Sequence, residues 1–257
     1  MGLMLVKTRL CLGFVRLSLA AMALSLTAAA AEQPNWLDIE SRIQYSYYTE
    51  DSRALQNVTE GLGPAEPDSA FRRYYAALID YRLTLLDWAR DKSRAKDAAD
   101  ACVDNLDVAV KLQRDFADAL ALESACLDLL AGLQAWRAPF AAAKSGSLIE
   151  KARHAAPKNP RVLLLDAVSL YERPKATTVD KDRALQGFEQ ATAAFEAERR
   201  EAQHVPGWGA AEAYVYLAKC QLDRGATLKA RDALERALLM APELAEARRL
   251  MKKLTAG

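Results

Sequence analysis

Apolar residues recur at spacings of three and four along almost the whole chain beyond residue 31, where Ala, Leu, Glu, Lys and Arg dominate. This spacing predicts amphipathic helices, and no alternating strand pattern persists over any stretch. Glycine and proline interrupt the pattern at separated places, including GLGPAEP (61–67), APKNP (156–160) and VPGWG (205–209). The chain is therefore expected to be all-α, with helices of about 12 to 18 residues between these breaks.

One stretch near the C-terminus carries a repeat signature. The sequence AEAYVYLAKCQLDRGATLKARDALERALLMAPELAEA, which starts at Ala211, resembles the tetratricopeptide repeat (TPR), a two-helix unit of about 34 residues. Gly225 stands at the turn between the two helices, and Gln221 departs from the family pattern at a usually aromatic position. The residues that match the pattern are Tyr214, Leu217, Ala218, Ala230, Leu234, Ala237 and Pro242.

Small residues explain how the two helices of such a unit can pair. Antiparallel helices approach closely only where the side chains at their crossing are small, so Ala218 and Ala230 are expected to meet there. Weaker copies of this signature occur upstream. Their small positions, in first and second helices, are Ala77, Cys102, Ser124, Ser145, Ala167 and Ala184.

The resemblance implies a TPR-like right-handed superhelical solenoid of about five antiparallel helix pairs, within one domain spanning 32–257. The units lie near 36–66, 70–114, 117–157, 161–206 and 211–244, and a capping helix with a polar outer face follows at 243–254. Two TPR-like domains that divide near 157–160 are the alternative. A single solenoid is preferred because no long flexible linker separates the halves.

The N-terminus has the layout of a secretory signal peptide. Lys7, Arg9 and Arg16 precede an apolar run, 17–31, that ends in small residues, and cleavage is expected after Ala31. An uncleaved membrane anchor is the alternative. Cleavage would change the formal net charge from +1 to −2, because the removed segment holds three basic residues and no acidic one. We therefore expect a periplasmic or secreted protein with no membrane insertion after cleavage.

Three cysteines remain after cleavage: Cys102, Cys126 and Cys220. The number is odd and no CxxC spacing occurs, so neither a disulfide framework nor a zinc site is indicated. The favoured interpretation is three small buried residues on helices. A Cys102–Cys126 bridge between neighbouring helices is the alternative, since disulfides persist outside the cytosol.

Candidate chemistry is sparse. The near-neutral charge gives no reason to expect nucleic-acid binding, and the two histidines, His154 and His204, lie far apart in sequence. No nucleophile motif, phosphate-binding loop or dinucleotide glycine pattern occurs. We therefore expect no catalytic residue, no cofactor and no metal site.

The TPR resemblance also implies that the first helix of each pair lines a concave binding surface. Tyrosine combines apolar area with a hydroxyl group, so Tyr74 and Tyr81 are the preferred anchors, together with Arg82. The predicted groove residues are Tyr74, Leu78, Tyr81, Arg82, Asp128, Tyr171, Val215, Lys219 and Asp223, and the family mapping places Ala121, Ala125, Leu164 and Val168 on the same inner face.

These observations favour a non-enzymatic scaffold that binds a protein or peptide of the cell envelope. An accessory subunit of a periplasmic solute-uptake (tripartite transporter) system ranks second, and a closed tyrosine-lined cavity would favour it over an open groove. A structural oligomer is a further alternative, and an enzyme ranks below the binding functions. Trp208 is expected to pack under the last helix pair, with contact to a partner as the alternative. The partner and the oligomeric state stay open.

Overall fold

The computed structural model describes residues 34–63, 68–199 and 205–256, and these ranges contain helices and no strand. The all-α prediction is therefore confirmed for the part of the chain that is described. Gln33–Gly257 forms one compact unit. The predicted signal segment 1–31 and His204 lie outside the described residues.

Most of the helices follow one another in pairs joined by short turns. A short 3₁₀ helix, Val58–Leu62, extends the second helix of the first pair. The α helices are α1 (Trp36–Tyr48), α2 (Ser52–Asn57), α3 (Ala70–Asp87), α4 (Lys92–Leu112), α5 (Ala117–Leu133), α6 (Ala138–Ala155), α7 (Pro160–Glu172), α8 (Thr178–Glu198), α9 (Ala210–Asp223), α10 (Thr227–Met240) and α11 (Ala245–Thr255).

Local sequence signals begin and end these helices. Asp91 caps α4 by accepting hydrogen bonds from two backbone N–H groups, and Thr177 forms a reciprocal capping box with Asp180 at the start of α8. Gly225 occupies the turn between α9 and α10 with a φ of 70°, a conformation that glycine adopts at low cost. The turn predicted from Gly225 is therefore present.

The paired helices pack directly on each other: α3 on α4, α5 on α6, α7 on α8 and α9 on α10. The small residues expected at the crossings are all buried, Ala77, Cys102, Ser124, Ser145, Ala167, Ala184, Ala218, Ala230 and Ala237. The hydroxyls of Ser124 and Ser145 are 2.9 Å apart, so these two helices touch at the predicted residues. The arrangement is compatible with a helical repeat.

Pro242 differs from the other predicted packing residues. It is exposed between α10 and α11, so it ends the unit without contributing to the interhelical core. The closing helix starts at Ala245, two residues after the predicted start, because the backbone turns through residues 241–244 first. Ala247 faces the core, whereas Arg248 and Lys252 are exposed.

A disulfide joins Cys102 of α4 to Cys126 of α5, with the two Cα atoms 6.2 Å apart. The bond links two successive helix pairs. From the sequence, this bridge was the alternative to three small buried cysteines. Cys220 is a free thiol and is buried, and burial raises its pKa to about 12.

Replacing Ala230 by Leu is expected to destabilise the fold by about 1–3 kcal/mol, because the added atoms overfill the buried contact of α10 with α9. Urea unfolding of the parent and the variant measures this loss. Lys229→Leu is the matched control, since Lys229 is exposed one position earlier on the same helix. An equal effect of both substitutions would contradict the tight crossing.

Candidate functional site

The inward faces of several first helices converge on one small central cavity. Its volume of about 20 Å³ leaves room for roughly one water molecule. Three tyrosines, one ion pair and a wall of aliphatic side chains surround it. The lining residues are Tyr47, Tyr81, Arg82, Leu85, Leu164, Leu165, Val168, Trp208, Glu212, Val215, Tyr216, Leu244 and Glu246.

A buried ion pair lies at one side of the cavity. Arg82 of α3 donates a hydrogen bond to Glu212 of α9, and Tyr48 of α1 donates to the same carboxylate at 2.7 Å. The Arg82 guanidinium also lies over the rings of Tyr47 and Trp208, at 4.2 and 4.8 Å from their centroids. These contacts compensate a charge that would otherwise be costly to remove from water.

The electrostatics of Arg82 follow from these neighbours. Burial alone would lower its pKa, but the adjacent Glu212 carboxylate and the tyrosines raise the pKa above its usual value. The arginine is therefore charged at every physiological pH. Its Nε atom is buried and has no hydrogen-bond partner among the described residues.

The segment Val205–Gly209, which leads into α9, is inserted into the same interior. Trp208 is buried, and its indole N–H donates a 2.7 Å hydrogen bond to the Tyr74 hydroxyl of α3. The Gly207 N–H donates to the Glu40 carboxylate of α1, at 2.9 and 3.1 Å from its two oxygens. Trp208 is thus a core residue as expected, but its partners, Tyr74 and Arg82, lie on α3 and not on the last helix pair.

Five of the predicted groove residues are buried, which corrects the expectation of an open surface. Tyr74 and Leu78 lie in the core without exposure to solvent. Tyr81, Arg82 and Val215 do face inward, but they form the wall of the central cavity. The mapping placed these side chains on the inner face, and what it missed is that α1 and Trp208 cover that face.

The other four predicted groove residues are separated from one another. Asp128 accepts a 2.7 Å hydrogen bond from Ser145, so it belongs to the contact between α5 and α6. Tyr171 and Asp223 share a 3.1 Å hydrogen bond near the surface, and Lys219 pairs with Glu246 of α11 at 2.5 Å. The last three therefore lie on neighbouring pairs at the outer margin of the inner face.

Sequence reasoning missed several residues that line the cavity. Tyr47, Tyr216 and Glu246 were not assigned to the inner face. Glu212 was also missed. Its signal was an acidic residue inside the otherwise apolar run AEAYVYLA, at a position where a helix faces its neighbours.

The cavity offers polar groups that the protein itself does not use. The hydroxyls of Tyr47, Tyr81 and Tyr216 have no hydrogen-bond partner among the described residues. Lys219 lies 4.5 Å from the centroid of the Tyr216 ring, at the outer side of the cavity. In the same described ranges, no cluster of three metal-binding side chains occurs, and no helix is long and apolar enough to cross a membrane.

No protein-family model matches this sequence, and no curated protein matches it. The TPR resemblance therefore stays a prediction from the residues that carry it.

Replacing Glu212 by Gln is expected to cost about 3–5 kcal/mol, because it leaves the Arg82 charge buried without its counter-ion. Urea unfolding at neutral pH measures the loss. The control is Asp182→Asn, which breaks an ion pair with Arg224 at the exposed surface and should cost under about 1 kcal/mol. Equal losses in the two variants would contradict the buried pair's role.

Asp80 should make the stability of the protein fall as pH rises. Burial raises the pKa of Asp80 to about 7, while a hydrogen bond from Asn105 opposes that shift. The folded state therefore holds a proton that the unfolded state releases near pH 4, and stability is lost between about pH 4 and pH 7.

The variant Asp80→Asn is expected to be more stable than the parent at pH 8 and to show a flatter pH dependence. Thermal unfolding from pH 4 to pH 8 measures both effects. Asp104→Asn, at an exposed position on α4, is the control and should leave the profile unchanged. A parent whose stability does not fall over this range would contradict the assignment.

Proposed function

We propose that this protein is a non-enzymatic scaffold of the cell envelope that binds a protein or peptide partner, on a TPR-like solenoid of helix pairs. The observation that carries the proposal is the set of three tyrosine hydroxyls, of Tyr47, Tyr81 and Tyr216, that line one cavity without hydrogen-bond partners. None of the three hydroxyl oxygens is fully buried, so each is within reach of solvent, and the polar groups of a ligand could take the place of that water.

The cavity's size defines how a partner would bind. A space of about 20 Å³ cannot admit a peptide segment, so the partner would contact the outer side of the cavity and reach inward with one polar group. Tyr47, Tyr216, Lys219 and Glu246 are partly exposed there. Tyrosine is enriched at the centre of protein interfaces, and the charged Lys219 and Glu246 suit the polar rim of such a surface.

Export to the periplasm or the cell exterior fits this function. The Cys102–Cys126 disulfide supports an oxidising compartment, where such bonds persist. The predicted signal peptide, with cleavage after Ala31, points the same way.

An accessory role in a solute-uptake system is the second candidate function. A cavity lined by tyrosines favours it, and the central cavity has that lining, although it is open at its outer side. Its small volume is the opposing observation, because a solute larger than water would enter only after α1 or the Val205–Gly209 segment moved.

The double variant Tyr47→Phe, Tyr216→Phe tests the binding proposal, because it removes two hydroxyls and keeps both rings. Two lost hydrogen bonds are expected to weaken partner binding by about tenfold at unchanged thermal stability. The measurement is retention of cell-envelope proteins on the immobilised Gln33–Gly257 unit. Tyr45→Phe, which removes an exposed hydroxyl from α1, is the matched control. Equal retention by parent, control and double variant would contradict the proposed site.

A further inference from the structure

The five turns that join the two helices of each pair lie along one edge of the helical array. This turn edge comprises each such turn and the first five residues of the helix that follows it. Ion pairs connect the first turn to the second, α4 to the third turn, and the start of α8 to the fifth turn. These pairs are Glu50–Arg90 at 3.3 Å, Asp100–Arg137 at 2.7 Å, and Asp182–Arg224.

Large apolar side chains project from equivalent places on three successive turns. Phe140 is the third residue of α6, whereas Val179 and Leu228 are the second residues of α8 and α10. Their exposed fractions are 81%, 65% and 79%, and Trp136 in the turn before α6 is 76% exposed. Each of these four side chains stands out singly from a turn or a helix start.

The turn edge is also strongly basic, although the chain as a whole is nearly neutral. It carries twelve Lys or Arg residues and five Asp or Glu residues. The opposite edge comprises the last five residues of the second helix of each pair and the described residues of the connector that follows. In the first pair, the 3₁₀ helix Val58–Leu62 takes the place of the end of α2. The opposite edge carries seven basic and six acidic residues.

Four of the basic side chains on the turn edge have no ion-pair partner among the described residues. They belong to four different pairs and are all exposed: Arg53, Lys92, Lys175 and Lys229. In the third pair, the turn edge carries the exposed Trp136 and Phe140 in place of such a cation. Unpaired cations therefore flank the exposed apolar side chains along the edge.

We propose that the turn edge docks the protein peripherally on an anionic lipid surface. Isolated apolar side chains would enter the headgroup region, with Trp136 at the boundary between water and hydrocarbon, and the unpaired cations would face lipid phosphates. A protein interface would instead bury a contiguous apolar core. This attachment is independent of the partner site proposed at the central cavity.

Sedimentation with lipid vesicles tests the proposal. The Gln33–Gly257 unit is mixed at low salt with vesicles of three parts phosphatidylcholine and one part phosphatidylglycerol, or of phosphatidylcholine alone. Binding is expected for the anionic vesicles, with affinity that falls as salt is raised. Failure to bind the anionic vesicles, or equal binding to neutral ones, overturns the proposal.

The apolar contribution is tested by the double variant Trp136→Ser, Phe140→Ser, which should weaken binding at least tenfold. Its control is Leu112→Ser, Leu239→Ser, which removes two side chains that are 52% and 83% exposed on the opposite edge. Circular dichroism establishes that both variants are folded. Equal weakening in the two variants overturns the assignment to the turn edge.

The charge contribution is tested by changing Lys92, Lys175 and Lys229 to Gln, which should also weaken binding at least tenfold. The control changes Arg114, Lys151 and Lys158 to Gln; these residues are also exposed and have no ion-pair partner among the described residues, but they lie on the opposite edge. Both variants lose the same net charge, so only position differs between them. Retention on immobilised poly-glutamate in place of vesicles, with the same dependence on position, overturns the lipid assignment in favour of an acidic protein.

Discussion

The structure depends on an arginine held away from water in the middle of a helical array. Arg82 of α3 pairs with Glu212 of α9, which lies 130 residues further along the chain. A buried charge is tolerated only when it is paired and hydrogen-bonded, so this contact determines how the two helices face each other. Tyr48 binds the same carboxylate, which brings α1 into the arrangement.

The Arg82–Glu212 pair holds α3 and α9 together, and the interior between them is covered as a result. This cover limits where a partner can bind. Trp208 packs on the guanidinium and binds Tyr74, so the inner face of α3 is covered by the protein's own segment. The two accessible regions proposed for binding are the outer side of the central cavity and the turn edge. These two regions differ in chemistry: the first offers tyrosines beside paired charges, and the second offers unpaired cations beside projecting apolar groups.

Local features were predictable from the sequence, and contacts between distant segments were not. Helical spacing, capping residues and small crossing residues such as Ser124 and Ser145 act over a few turns, so their pattern is visible in the chain. Tyr74 was assigned to an open groove because the repeat pattern describes only the contacts within a unit and with the adjacent units. Its actual partner, Trp208, is 134 residues away, and no periodicity signals such a contact. The Cys102–Cys126 pairing was open for a different reason, because an odd number of cysteines without a CxxC spacing does not indicate a disulfide.

The most direct test of this account is the accessibility of the inner face. Val215→Cys places a thiol in the wall of the central cavity, and Asp223→Cys places one on the same face of α9 at an exposed position. Labelling by a maleimide under native conditions is predicted to be at least about a hundredfold slower at 215 than at 223. The buried Cys220, measured in the parent, supplies the background. Similar rates at both positions would show that the inner face is open and would contradict the account.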